Sequence, residues 1–270
     1  MMEGVPAPPY LELAPPPALL PLVACLWTSH DGEVRVLPDA CVDVVFEAGA
    51  LVVAGPATTV AVARATPGRR RLGVRFRVGA AGVALGVPAA ELLDRSVPLT
   101  ELWGTAARRL EDRIAAAPDP AAALTALTQG IADRLPPPDA ADRDVRRAAL
   151  LLARGATPGA ARRAAHLSDR QLRRRFDRAV GYGPATLARV QRFQRFLGHA
   201  QRTPGASLAR LAADAGYADQ AHLARECRRL AGVPPSALLA AGAGPAGEPL
   251  THQTSEAFKR PGGGSGTLAA

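Results

Sequence analysis

Between residues 142 and 240 the chain repeats itself with an offset of 51 residues. The run Ser168–Phe176 aligns without a gap on Asp219–Cys227, so that Leu172 falls on Leu223, Arg174 on Arg225 and Arg178 on Arg229. Downstream, Gly181 matches Gly232, Pro184 matches Pro235 and Leu187 matches Leu238; upstream, Ala161 and Ala164 match Ala212 and Ala215. Both copies must therefore solve the same packing problem. Each reads as a short Ala-rich helix (about 160–165 and 208–214), a tight turn ending in an N-cap residue, Ser168 or Asp219, and a second helix closed by Gly181 or Gly232. Two short helices joined by a few residues make a helix-turn-helix, and the small alanines let the pair cross closely.

The second helix of each copy sorts into two faces. Leu172, Phe176 and Ala179 recur at helical spacing and are expected to pack inward, while Arg170, Arg173 and Arg174 gather on another face near the helix start. In the second copy the inward set is Leu223, Cys227 and Leu230. The outward set is Gln220, Ala221, Ala224 and Arg225, with Arg228 one turn on. Short outward side chains with Arg and Gln among them suit the major groove, where arginine gives two hydrogen bonds to guanine and glutamine two to adenine. A helix N-terminus adds partial positive charge and free N–H groups for phosphate. The stretch Pro184–His199, with Leu187, Val190, Phe193 and Leu197 near one side, reads as one helix of about 24 Å. With its flanking turns it can hold two reading helices roughly one DNA turn, about 34 Å, apart.

Charge follows the same division. Residues 1–140 carry 12 Arg against 15 Asp and Glu, whereas residues 141–240 carry 19 Arg against 7. A GC-rich genome favours arginine over lysine, and Lys259 is the one lysine here, but that bias would spread arginine evenly. A basic module beside a slightly acidic one is the electrostatic footprint of a nucleic-acid binder.

SDRQLRRRFDRAVGYGP (168–184) followed by GYADQAHLARECRRLAGVPP (216–235) resembles the AraC/XylS family of bacterial transcription regulators, over about 100 residues. The resemblance implies two helix-turn-helix units bridged by a long helix and bound to promoter DNA. Position by position, it places base-reading roles on Arg170, Arg173 and Arg174, and on Gln220, Ala221, His222 and Arg225; Arg228 joins them as a DNA contact. Alanine at 221 and 224 can at most touch a thymine methyl. One departure is Cys227, where the family usually has Phe, a smaller side chain expected to loosen the second unit. LPDACVDVVF (37–46), GVRFRVGAAGVALGVPAAELLDRSVPL (73–99) and the adjoining LTELWG resemble the sensor-type domain found ahead of such modules in many actinobacterial members.

Read from its own residues, the first half is β-like from Leu19 to Val78. Val42, Val44 and Phe46 alternate with Asp43 and Glu47, with Val45 departing from the rule; Leu51–Val53 and Val60–Val62 are short apolar runs. In the clearest strand Leu72, Val74, Phe76 and Val78 face one way and Arg71, Arg75 and Arg77 the other. After Gly86 the period becomes helical. Pro88–Leu93 reads as a short helix, Thr105 as the cap of a helix carrying Leu110 and Ile114, and Asp119-Pro120 as the start of another. This last helix carries a stripe of Leu124, Leu127, Ile131 and Leu135 that must meet its own sheet or a second copy of itself.

The fold expected is α+β. An N-terminal β-rich domain, a small barrel or sandwich with flanking helices, covers 1–138. An all-α double helix-turn-helix domain follows over 142–241 (units about 160–181 and 208–232), then a disordered tail over 242–270. The first 17 residues are Pro-rich and expected to be extended. They show no basic region followed by an apolar stretch, so no secretory leader is expected. No apolar run approaches the roughly 20 residues of a membrane span. Double-stranded promoter DNA is the partner expected, with RNA polymerase, a small-molecule effector and a second copy (a homodimer) as further candidates, in the cytoplasm at the nucleoid.

Enzymatic motifs are missing: no GxSxG, HExxH, P-loop or GxGxxG occurs, no cofactor is expected, and the reading is of a protein that is not an enzyme. The same helix pair also occurs fused to alkylation-repair methyltransferases, but those need four zinc-binding cysteines and the chain has three, Cys25, Cys41 and Cys227. Cys41, between Asp39 and Asp43, is expected to be a buried structural thiol; Trp27 and Trp103 are candidates for lining a ligand pocket, but with aromatics at 4% of the chain core packing is the expectation. His166, His199 and His222 are expected to touch phosphate or pack. Single-stranded RNA binding is disfavoured for want of exposed aromatics in the basic module. The alternative is an N-terminal ligand-binding or enzymatic module with a basic domain that binds nucleic acid without sequence preference.

Overall fold

The computed structural model describes residues 10–29, 33–64, 70–137 and 142–242. The tail expected beyond 242 and Pro138 lie outside them. The fold is α+β: a β-rich N-terminal half with flanking helices, then a helical C-terminal half.

Among the described residues of the first half eight strands form: β1 (Tyr10–Leu13), β2 (Val23–Ser29), β3 (Glu33–Val36), β4 (Val42–Glu47), β5 (Ala50–Ala54), β6 (Ala61–Arg64), β7 (Arg71–Phe76) and β8 (Ser96–Pro98). Six make an antiparallel sheet in the order β1-β2-β7-β4-β5-β8, and β3 pairs with β6 in a separate two-stranded ribbon. The sheet is open, with β1 and β8 at its edges. The Pro-rich start was read as an extended stretch; from Tyr10 it is an edge strand, with Tyr10 opposite Ser29 and Glu12 opposite Trp27. An edge position is where neighbouring prolines are tolerated.

Register sorts the sheet into two faces. Leu26, Val44, Val53, Leu72, Val74 and Phe76 share one, and it packs on α1 (Ala81–Leu85), α2 (Leu99–Trp103), α3 (Thr105–Ala115) and α4 (Pro120–Ala132). Asp119 caps α4 by accepting the Ala122 N–H at 2.8 Å. Thr105, by contrast, is the first helical residue of α3 and gives no capping bond; Gly104 holds the cap position. Leu124, Leu127 and Ile131 are buried in this same core, so the α4 stripe meets its own domain and does not form a dimer seam.

The opposite face carries Cys25, Trp27, Asp43, Val45, Arg71, Gly73 and Arg75. Val45 thus keeps strand alternation after all, because this face too is covered. Arg71, Arg75 and Arg77 are buried at 5–7% exposure under a second layer. Arg75 grips Asp43 with two hydrogen bonds, Nε to Oδ1 at 3.0 Å and Nη2 to Oδ2 at 2.9 Å, and has Glu12 and Asp39 at 3.8 and 3.9 Å. Burial works against the guanidinium charge, but Asp43 and Asp39 outweigh it and raise its pKa.

The helical half comprises α5 (Arg143–Ala153), α6 (Pro158–Ala164), α7 (Asp169–Val180), α8 (Pro184–Arg202), α9 (Leu208–Ala215), α10 (Gln220–Ala231) and α11 (Pro235–Gly242). α8 runs through two cores. Its Leu187 and Val190 pack with α5, α6 and α7, and its Phe193, Phe196 and Leu197 with α9 and α10. The first half docks on it: Ala24, Ala40, Cys41 and Val78 join the first core and Leu37 the second. Gln194 of α8 donates Nε2 to the Pro38 carbonyl at 2.7 Å, and Arg35 donates to the Ala231 carbonyl at the end of α10 at 2.8 Å. Gly181 has a double reason to be glycine. Its φ is +98°, and a Cβ there would lie 2.6 Å from Pro56 Cγ.

Candidate nucleic-acid interface

Each repeat copy folds as a short helix, a turn and a longer helix: α6 and α7 in the first, α9 and α10 in the second. Local chemistry fixes both turns. Ser168 accepts the Gln171 N–H while Gln171 Oε1 accepts the Ser168 N–H at 3.0 Å, a capping box at the start of α7. Asp219 accepts the His222 N–H at 2.6 Å at the start of α10. Gly181 and Gly232 end the two helices in the left-handed conformation. Ser168→Ala and Asp219→Ala are each expected to lower stability by about 1 kcal/mol, read as a shift of the urea midpoint.

Leu172 and Phe176 point inward on α7 as expected, joined by Val180, with Ala179 half-buried; Leu223, Cys227 and Leu230 are buried on α10. Cys227 is fully buried in the core that also holds Leu211, Ala212 and Phe193, and burial, then Glu226, pushes its thiol up to about 12. Outward, Arg170, Arg173 and Arg174 are exposed on α7, as are Gln220, Ala221, Arg225 and Arg228 on α10. His222 differs from these. It is half-buried, its ring meets Tyr217 edge-on at 5.2 Å, and its Nδ1 lies 3.5 Å from the Ala218 N–H it accepts. It belongs to the turn as much as to the outer face. Arg174 and Arg178 also line a cleft of about 900 Å³ whose far wall is Gly79, Gly82 and Val83 of the first half, so the two halves meet along the edge of this face.

Not every arginine of the basic module faces outward. Arg175 bridges Asp142 and Asp144 at the start of α5 (3.5 and 3.0 Å), and Arg189 on α8 pairs with Glu226 on α10 at 3.1 Å. Arg195 donates to the Ala153 carbonyl at 3.0 Å and the Ala215 carbonyl at 3.2 Å, joining the ends of α5 and α9. Sequence reasoning missed this brace: the repeat sets Asp144 against Arg195, so no matched pair of arginines marks it. Its signal was its place on α8 among buried neighbours.

Other sequence candidates settle as follows. Cys41 is buried and its N–H is accepted by Asp39 at 2.8 Å; among the described residues no cluster of three or more His, Cys, Asp or Glu is placed to hold a metal ion. Trp103 packs against the core between the sheet and α1–α4, with Arg134 5.0 Å over its ring. Trp27 is buried, as expected of a core side chain, and it also lines a cavity on the second sheet face. His166 is exposed at the turn after α6, and His199 sits 3.4 Å from Arg202.

A family described as a helix-turn-helix domain matches residues 161–241, and one described as a domain of unknown function (DUF6597) matches residues 11–98. The second match runs from β1 through β8. No curated protein and no solved structure matches the chain. The C-terminal half therefore carries a helix-turn-helix domain capable of DNA binding, behind a β-rich domain of a distinct family. Among the described residues no helix is long and apolar enough to cross a membrane.

Proposed function

We propose that the chain is a sequence-specific transcription regulator of the AraC/XylS type, reading two successive major-groove segments of promoter DNA with α7 and α10. One observation carries the reading: two equivalent capped helices, one presenting exposed Arg170, Arg173 and Arg174 and the other Arg225 and Arg228, are held by one continuous helix. α8 has 19 residues, about 28 Å at 1.5 Å per residue, close to the span two reading helices need when set about one turn apart. The Arg189–Glu226 pair and the Arg195 brace keep that spacing from drifting.

In this reading Arg170, Arg173 and Arg174 serve one half-site, and Gln220, Ala221, His222, Arg225 and Arg228 the other. Exposed arginines neutralise phosphates for affinity, and base-edge contacts discriminate. The chain divides at about 138–142. Its first domain tunes promoter occupancy through the surfaces it shares with α7, α8 and α10, and it is a regulator in the cytoplasm, not an enzyme. RNA polymerase and a second copy are its further partners.

Selection of bound duplexes from a random DNA library by the full chain tests this. The expected result is an enriched motif with two blocks about one helical turn apart. Recovery of duplexes with no enriched motif would instead favour a basic domain without sequence preference.

A further inference from the structure

The covered face of the six-stranded sheet encloses a cavity of about 240 Å³. That is just below the range of drug-sized pockets, the size for a small metabolite. Strand register builds it. Trp27 pairs with Gly73, Val45 also pairs with Gly73, Val52 pairs with Val45, and Ser29 pairs with Arg71, which places all of them on one face. Gly73 is required: a Cβ there would fall 2.1 Å from Trp27 Cε2, so glycine lets the indole lie across β7. Tyr10 stacks on the other side of that indole, with ring centres 5.9 Å apart. From the helical half comes Gln194 of α8, which completes the wall.

The polar groups of the cavity are unequally satisfied. Arg75 is surrounded by Asp43, Asp39 and Glu12. Arg35 is engaged with the end of α10, and Glu47, which also lines the cavity, has a partner of its own. Arg71 is buried at 5% exposure and donates Nε to Ser29 Oγ at 3.1 Å, yet forms no ion pair with any described residue. Trp27 Nε1 is buried with no hydrogen-bond partner among the described residues. An unpaired buried cation and an unpaired buried N–H are both unfavourable, and both require an acceptor. Among the described residues lining the cavity, no side-chain oxygen is left in the same condition. The missing partner is therefore an anion with acceptor oxygens, attached to a flat apolar body that fits between Trp27, Val45, Val52 and Leu37.

We propose that this cavity binds a small organic carboxylate, held by the Arg71 guanidinium and the Trp27 indole N–H, with its apolar body against the Val45–Val52 floor. Because Gln194 belongs to the helix that spaces α7 and α10, the bound ligand touches the element on which DNA reading depends. The site rests on the fold alone; its effect on promoter occupancy rests on the regulator reading, so the two are measured apart.

The full chain, labelled with ¹⁵N, is titrated with phenylacetate, with its neutral isostere phenylacetamide and with the cation phenethylamine. Phenylacetate is expected to shift the Trp27 indole N–H resonance saturably and leave that of Trp103 in place, with at least a tenfold weaker response to the other two. Arg71→Met is expected to abolish the phenylacetate shift while the remaining spectrum stays native. Absence of any saturable shift, a preference for phenethylamine, or a shift that survives Arg71→Met overturns the proposal. DNA binding is then followed with and without phenylacetate. A changed affinity links the site to DNA reading, and an unchanged one removes that link while the indole shift still decides the site.

Discussion

Alanine at Arg174 and alanine at Arg225 are each expected to relax base preference at one of two separate blocks of the selected site, with a loss of about 5- to 150-fold against the best sequence. The range follows from the 1–3 kcal/mol that a good two-bond contact to a base contributes to discrimination. The two residues occupy the same place in the repeat, and both are exposed on helices whose first turns are fixed by a cap. Their effects should fall on different base pairs and add, because no side chain is shared between them. Loss of a phosphate contact looks different: affinity drops uniformly across sequences and the salt slope becomes shallower by about one. Binding curves on a panel of single-base variants, at two salt concentrations, separate these outcomes. Arg108→Ala, on the exposed face of α3, is the control and should leave both quantities unchanged. If both alanine variants lower affinity uniformly, α7 and α10 position the protein without reading bases.

The C-terminal half was nearly transparent in the sequence because its signals are local. Ser168, Gln171, Asp219, Gly181 and Gly232 act within one or two turns of where they sit, and a repeat shows each signal twice. Long-range effects were harder to read. The stripe on α4 is equally compatible with a dimer seam and with the sheet of its own domain, and only the tertiary packing distinguishes them. The strand Arg71–Phe76 alternates as a half-solvated strand would, yet its arginines are buried, because Arg35, Val36 and Leu37 at β3 and Gln194 of α8, all distant in sequence, lie over that face.

The same limit applies to the candidate sites. Arg170, Arg173, Gln220 and Arg225 could be placed on an outward face from helical spacing alone. That Arg174 shares a cleft with α1, and that His222 is tied into its turn, depends on contacts the spacing does not encode. Trp27 is buried as the sequence leads one to expect, but the cavity beside it was not legible. A chain with few aromatics favours a core position for each of them, and only the pairing of Trp27 with Gly73 reveals that the indole lies in a cavity wall.

Arg75→Met is expected to destabilise the fold by about 3–5 kcal/mol at neutral pH, the cost of leaving buried carboxylates without their cation. Asp43 loses both of its guanidinium hydrogen bonds, and Asp39 loses the charge that opposes its burial. The pH dependence provides a second check. Burial already raises the Asp39 pKa, with Arg75 pulling it back, so removing Arg75 raises it further above the unfolded value of about 3.9. The folded variant then holds a proton that the unfolded chain has released. Its stability is lowest above the raised pKa, increases as pH falls through it, and levels off below the unfolded value. The gap between wild type and variant should therefore be wide at pH 7 and narrower at pH 4.5, measured by urea unfolding followed through tryptophan fluorescence. Arg71→Met supplies the contrast on the same strand face. Arg71 pairs with no described carboxylate, so its removal leaves no acid stranded and should cost less than about 1 kcal/mol at either pH. Equal losses from the two substitutions would mean that burial and packing, rather than the carboxylates gathered around Arg75, set the value of a cation on this face.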